Sequence, residues 1–75
     1  MINKQSAKLI REQLKLTPQG MADLIGASRV TIYCYENGSK NIGYTYMKRI
    51  AKESGRDIII RVSANGDSEA WIPES

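Results

Sequence analysis

The chain has 75 residues, of which 25% are charged, and a formal net charge of +3. A domain this small has a marginal core and usually needs disulfides, a metal or a partner chain. With one Cys and no His, it has no internal disulfide, no zinc-ligand set and no His for acid–base catalysis. It has neither a glycine-rich phosphate loop nor a nucleophile elbow. We therefore predict no enzyme activity, no cofactor and no metal, and oligomerisation as the remaining source of stability.

No apolar run approaches the ~20 residues of a membrane span, and residues 1–8 lack a signal-peptide apolar stretch. We expect a soluble, reduced, cytoplasmic protein with no membrane partner. Residues 1–62 contain all eleven Lys and Arg and five of the eight acids, a net +6, whereas residues 63–75 carry −3. A basic body with an acidic end suggests a polyanionic partner, although a basic solvated surface explains the charge equally well.

Apolar residues recur at helical spacing through the first 55 residues. Three hydroxyl residues that can cap a helix precede such segments: Ser6, Thr17 (followed by Pro18) and Ser28. A glycine follows three of the segments: Gly26, Gly38 and Gly55. The pattern predicts helices at about 7–15, 18–25, 29–36 and 44–53, with residues 1–5 frayed.

The character of the sequence changes after Gly55. Residues 57–63 are β-branched and of strand length, Asn65-Gly66 is a strong hairpin signal, and residues 68–72 can form the returning strand. A two-residue turn at Asn65-Gly66 pairs Ile60 with Trp71. One face of the hairpin then carries four apolar residues: Ile58, Ile60, Val62 and Trp71.

Two interpretations of this apolar face remain open. The hairpin can pack on the helices and complete their core, or strand 57–63 can also pair with its copy in a second chain. Because an apolar edge strand is hard to leave uncovered in so small a domain, we favour a homodimer. Its predicted interface residues are Ile58, Ile60, Val62 and Trp71.

Residues 18–37 have the spacing of two helices joined by a tight turn. Ala22 is small enough for a close helix crossing, Gly26 tolerates the positive φ of the turn, and Ile32 supplies an apolar contact from the second helix. The opposite face of the second helix presents Arg29, Val30, Tyr33 and Cys34. This face suits a groove that offers hydrogen-bond acceptors and thymine methyls.

Residues 7–55 resemble the helix-turn-helix domain of the phage repressor and Cro group, also called the xenobiotic-response-element type. The matching stretches are Leu16-Thr17, Met21-Ala22-Asp23-Leu24-Ile25-Gly26, Ser28-Arg29-Val30-Thr31-Ile32, Glu36-Asn37-Gly38 and Ile50-Ala51. The family usually has Gln where this chain has Pro18, and often Pro where it has Ile42. The resemblance implies a mostly α fold: a four-helix lambda-repressor-like domain with a C-terminal β-strand or β-hairpin. We expect one domain over 1–75, with its DNA-binding core at 6–55 and the hairpin at 57–72 as dimerisation element.

The resemblance also implies roles for individual residues. The base-reading positions are matched by Arg29, Val30, Tyr33 and Cys34. The phosphate-contacting positions are matched by Thr17, Gln19, Ser28, Asn37, Ser39 and Lys40. Arg11 and Glu36 match a partly buried ion pair between the first and third helices.

Each of these side chains also has a simpler interpretation. Arg29 and Lys40 can be solvated, and Tyr33 can pack on Met21 or Lys40. Tyr35 is better explained as a core residue than as a contact. The basic run on the fourth helix (Lys48, Arg49 and Lys52) is more typical of a solvated face than of a second DNA site.

These patterns together predict a sequence-specific, DNA-binding transcriptional regulator. We expect a repressor that binds double-stranded DNA at an inverted-repeat operator, as a homodimer with its third helix in the major groove. The alternative is an antitoxin whose main task is to bind a toxin or other partner protein through the hairpin or the fourth helix.

Overall fold

The computed structural model describes residues 1–74. Four helices are followed by a two-stranded antiparallel sheet, as predicted. The elements are α1 (Lys4–Gln13), α2 (Pro18–Ile25), α3 (Arg29–Asn37), α4 (Tyr44–Ser54), β1 (Ile59–Val62) and β2 (Ser68–Trp71). No helix within residues 1–74 is long and apolar enough to cross a membrane.

Helix α1 begins three residues before its predicted start. Asn3 is its N-cap, and the Asn3 Oδ1 accepts a hydrogen bond from Ser6 N at 2.9 Å. The prediction of Ser6 as the cap, and of a frayed segment before it, was wrong. Ile2 is buried and bridges Ile42 and Ser68, so burial of its side chain orders the first residues. The helix also ends earlier than predicted, because Lys15 adopts a left-handed φ of 59°.

The other helices begin and end where the sequence places their caps. Thr17 Oγ1 accepts from Gly20 N at 3.0 Å, and Ser28 Oγ accepts from Thr31 N at 3.2 Å. Gly26 takes a left-handed φ of 69° between α2 and α3, which a side chain would strain. The turn between these two helices therefore depends on a glycine at this position.

One core connects the four helices and the hairpin. Its largest fully buried side chains are Ile10, Met21, Ile32, Met47, Ile50 and Ile72. Ile72 follows β2 and is 1% exposed, so the chain after the hairpin closes over the helices. Ile58 and Ile60 are half-buried and pack against the same core. The hairpin thus does pack on the helices of its own chain.

The strand register differs by one residue from the prediction. Ile59 lies opposite Trp71 and Ile60 opposite Ala70, instead of Ile60 opposite Trp71. The reason is the loop: Ser63 N donates to Asp67 O at 2.8 Å, which leaves three residues between them rather than two. The last loop residue, Gly66, has a φ of 91°, as expected for a type I turn followed by a left-handed residue.

This shift moves Trp71 to the other face of the hairpin. Its outer face carries Ile59 and Arg61 from β1 opposite Trp71 and Glu69 from β2. The expectation of one apolar face formed by Ile58, Ile60, Val62 and Trp71 was therefore wrong. The first three alternate with the outward residues and share the inner side of β1, where Val62 near the loop is still 70% exposed.

The N-terminal segment and α1 cover the outer edge of β2. Ser6 Oγ accepts from Ala70 N at 2.8 Å. The Gln13 amide pairs with both backbone groups of Ile72, accepting from its N and donating to its O at 2.8 Å each. Backbone bonds join Ser68 to Met1 and Asn3. The N-terminal segment and two side chains of α1 therefore occupy the edge of β2 where a third strand would otherwise pair.

Candidate nucleic-acid interface

Helices α2 and α3 cross closely at their inner faces. Ala22 and Ile32 are both fully buried, and Ala27 N donates to Ala22 O at 2.9 Å across the turn. A small residue on α2 and a β-branched residue on α3 thus set the angle between the helices. As a result, α3 turns one face inward and leaves the other exposed.

An ion pair fixes α3 to α1. Arg11 Nε donates to Glu36 Oε2 at 2.7 Å, and Arg11 Nη2 donates to Glu36 Oε1 at 3.0 Å. The third guanidinium nitrogen donates to Leu16 O at 2.9 Å. The hydrogen bonds to Glu36 raise the pKa of Arg11 above its ordinary value. Because both side chains are only 12–13% exposed, this fork resists solvent screening and restrains the rotation of α3.

Tyr35 restrains the same face of α3. Its ring stacks on the buried Tyr46 of α4, with 3.9 Å between ring centroids and 23° between planes. Burial raises the pKa of the Tyr46 hydroxyl above its ordinary value. Sequence reasoning missed Tyr46 as an inward residue, although it precedes Met47 on the face that α4 turns to the core.

The outer face of α3 holds the predicted base-reading residues. Val30 is 68% exposed and Tyr33 is 49% exposed, although both are largely apolar. Arg29 is exposed at the N-terminal end of the helix, where the helix dipole disfavours a cation, and Cys34 is half-buried beside them. No hydrogen bond among residues 1–74 uses the Arg29 guanidinium or the Tyr33 hydroxyl, which leaves both available to an external partner.

Three of the predicted phosphate contacts lie at the starts of α2 and α3. The oxygens of Thr17 and Ser28 accept from their own helices, and Ser28 Oγ also lies 3.0 Å from Thr31 Oγ1. Gln19 Nε2 donates to Asp23 Oδ1 at 2.9 Å, so this amide already has a partner in α2. The caps occupy the N–H groups of Gly20 and Thr31, so those of Gln19, Arg29 and Val30 still point out of the helix ends.

The other three lie in the turn after α3. Asn37 Oδ1 accepts from Ser39 N at 2.8 Å, and Lys40 N donates to Cys34 O at 3.0 Å. These bonds shape the turn around Gly38, whose φ is 86°. Asn37, Ser39 and Lys40 are all exposed, and Lys40 Nζ lies 5.4 Å from the Tyr35 ring centroid. The turn therefore presents an amide, a hydroxyl and an ammonium next to the C-terminal end of α3.

The fourth helix adds further positive charge beside this surface. Lys48, Arg49 and Lys52 line an open groove with Tyr35 and Tyr46. Arg49 forms an ion pair with Glu53, with 3.5 Å between Arg49 Nε and Glu53 Oε1. Within residues 1–74, no three His, Cys, Asp or Glu side chains lie close enough together to hold a metal ion.

Two crossed helices, a glycine turn and a second helix with a free outer face define a helix-turn-helix domain. A family model described as helix-turn-helix matches residues 8–58, and the chain belongs to this family, the Cro/C1-type helix-turn-helix proteins. No curated protein and no solved structure matches the chain significantly. Family membership makes the chain a DNA-binding regulator, and it gives no support to the antitoxin interpretation.

Proposed function

We propose that the protein is a sequence-specific transcriptional repressor that binds an inverted-repeat operator as a homodimer. The N-terminal half of α3 enters the major groove, and the two copies of α3 lie about 34 Å apart, one turn of DNA. The observation that carries this proposal is the exposed outer face of α3, where Arg29, Val30 and Tyr33 have no role in the core. Occupancy of a promoter then blocks transcription in the cytoplasm.

Three side chains have chemistry suited to base readout. The planar fork of Arg29 matches O6 and N7 of guanine, and the Val30 methyls match the thymine methyl. Tyr33, one turn after Arg29, offers a ring and a hydroxyl to the next base or phosphate. Cys34, which is half-buried, borders this surface as the fourth proposed base-contacting position.

The proposed contacts to the DNA backbone come from both ends of the two-helix unit. The N-terminal ends of α2 and α3 face phosphates of one DNA strand, which they contact through Thr17, Gln19 and Ser28. Asn37, Ser39 and Lys40 in the turn after α3 contact another. Gln19 must exchange its bond to Asp23 for a phosphate in this arrangement. Most of the affinity then comes from phosphate neutralisation, and falls as salt rises.

The dimer forms through the hairpin, but not through the single apolar face expected from sequence. Ile58 and Ile60 are half-buried against their own core, and Trp71 points to the other side. The proposed contact is the backbone edge of β1, with Val62 and the outward side chains of the hairpin at its borders. Such a contact covers an edge that would otherwise template aggregation.

The decisive experiment selects bound sites from random DNA and then compares wild type with Arg29→Ala. We expect inverted half-sites about one helical turn apart, a loss of about 1–3 kcal/mol on the selected site and a relaxed preference at one base position. Lys8→Ala removes an exposed cation from α1 and serves as the control. Unchanged discrimination by Arg29→Ala would show that α3 does not read the bases.

The phosphate contacts have a separate test. Lys40→Ala should weaken binding to all sequences alike and lower the slope of log K against log salt by about one. The same measurement on Lys8→Ala should leave the slope unchanged. An unchanged slope for Lys40→Ala would remove Lys40 from the interface.

A further inference from the structure

Strand β1 has one open edge. In an antiparallel pair of strands, hydrogen-bonded positions alternate along each strand. Since Ser63 N donates to Asp67 O, the backbone groups of Ile59 also point toward β2, where Ile59 lies opposite Trp71. The N–H and C=O groups of Ile58, Ile60 and Val62 then point away from β2. Within residues 1–74, the sheet has no third strand beside β1, whereas the N-terminal segment and α1 cover the other edge of β2. The hairpin therefore offers one edge to a partner strand.

We propose that a second copy of this chain pairs antiparallel along β1, with the two-fold axis at Ile59. The proposal rests on the homodimer of the proposed function and specifies its register. It produces a four-stranded sheet across the two protomers, in which residues 56–58, just before β1, extend the strand and lie opposite residues 60–62 of the second copy. Three registers bring the outward backbone groups of the two edges together, and their two-fold axes lie at Ile59, Ile60 or Arg61.

The charged side chains on the outer face distinguish the three registers. An axis at Arg61 places the two guanidinium groups directly opposite each other, which is unfavourable. An axis at Ile60 places Arg61 opposite an isoleucine. An axis at Ile59 places Arg61 opposite the partner's Asp57, and symmetry forms this pair twice. Only the register with its axis at Ile59 places both Asp57 and Arg61 opposite a residue of the opposite charge.

The outer face supports the same choice through its apolar residues. Ile59 is 41% exposed although it is large and apolar, and Trp71 lies opposite it on β2. An axis at Ile59 puts these two residues in line with their copies, as one apolar row across the four strands. Arg61 already lies 3.3 Å from Glu69 on its other side, so in the dimer it stands between two carboxylates.

Disulfide trapping distinguishes the registers. In a Cys34→Ser background, each of I59C, I60C and R61C is oxidised in the full chain, with V62C as an exposed control on the same strand. We expect I59C to form the covalent dimer, since residues opposite each other at a non-hydrogen-bonded site lie about 4.5 Å apart between Cα atoms, within disulfide range. Trapping through I60C or R61C, but not I59C, would overturn the register.

Charge exchange provides an independent measurement. D57R and R61D should each weaken the homodimer about tenfold in sedimentation, because each places like charges opposite twice. An equimolar mixture of the two variants, and the double variant D57R/R61D, should dimerise as wild type does. D67R makes the same charge change at the hairpin tip, and should have no effect. No recovery in the mixture would refute the Asp57–Arg61 pairing.

The outcomes separate the register from the proposal beneath it. A wild-type chain that sediments as a monomer at every concentration refutes the homodimer and the register together. A wild-type dimer that I59C does not trap, and that D57R leaves intact, refutes the register while the homodimer stands. Folding of each variant is checked by its far-ultraviolet circular dichroism, and Asp57 and Arg61 are both exposed, so neither exchange disturbs the core.

Discussion

The attachment of the hairpin to α1 depends on one hydroxyl group. Ser6 is 3% exposed, and its Oγ accepts from Ala70 N and donates to Asn3 Oδ1, both at 2.8 Å. Ser6→Ala removes this acceptor and leaves the Ala70 N–H buried without a partner. The cap of α1 survives, because Asn3 Oδ1 still accepts from the backbone N of residue 6 at 2.9 Å.

The expected loss is that of one buried, unsatisfied N–H group, about 2 kcal/mol of the free energy of unfolding. This corresponds to roughly a 30-fold change in the folding equilibrium (1.36 kcal/mol per factor of ten) and a fall in Tm of about 8–16 °C for a chain of this size. Urea and thermal unfolding, followed by circular dichroism, measure both quantities. The DNA affinity of the folded fraction should not change, since the Ser6 hydroxyl bonds to Asn3 and Ala70 and not to α3.

Ser54→Ala is the matched control. Ser54 Oγ also accepts a backbone hydrogen bond, from Arg56 N at 3.3 Å, but this bond is exposed to solvent. Its loss should change stability by less than about 0.5 kcal/mol. If Ser6→Ala were no more destabilising than Ser54→Ala, the buried bond between α1 and β2 would not be what holds the hairpin on α1.

Two further variants test the elements that position α3. Glu36→Gln removes a charge beside the Arg11 guanidinium and should lower the free energy of unfolding by about 2 kcal/mol, measured in urea. If high salt abolished this difference between variant and wild type, the ion pair would not be shielded from solvent. Gly38→Ala should cost about 1–2 kcal/mol because φ is 86°, whereas Gly38→Asn, which adds the same Cβ but tolerates the left-handed region, should cost less. Equal effects of the two Gly variants would show that backbone strain is not the cause.

The helical part of the fold was predictable from the sequence because its signals are local. Thr17 and Ser28 cap their helices through bonds to residues three positions away, and Gly26 and Gly38 end helices within the same turn. Such signals need no knowledge of distant residues. The family resemblance implies that α3 is the reading helix, and the family match confirmed the family.

The errors occurred where distant residues decide the local structure. The start of α1 depends on Ile2 reaching Ile42 and Ser68, which lie 40 and 66 positions further along the chain. The role of Gln13 as a strand mimic requires Ile72 to pass beside α1. The register error has a more local cause, because Asn65-Gly66 suits both a two-residue turn and the second half of a three-residue loop. One residue in the loop then moved Trp71 to the opposite face.

In the proposed function, the arrangement of α3 separates stability from recognition along a single helix. Ile32, Tyr35 and Glu36 are spaced three and four residues apart, so they share one face, and they hold the helix by apolar packing, ring stacking and an ion pair respectively. Arg29, Val30 and Tyr33 are exposed outside this face, and they make none of these contacts. Substitutions on the outer face can therefore change which bases are read while the inner face keeps the helix at its angle. A family of regulators with one fold and many operators requires this separation, because each new specificity must leave the core intact.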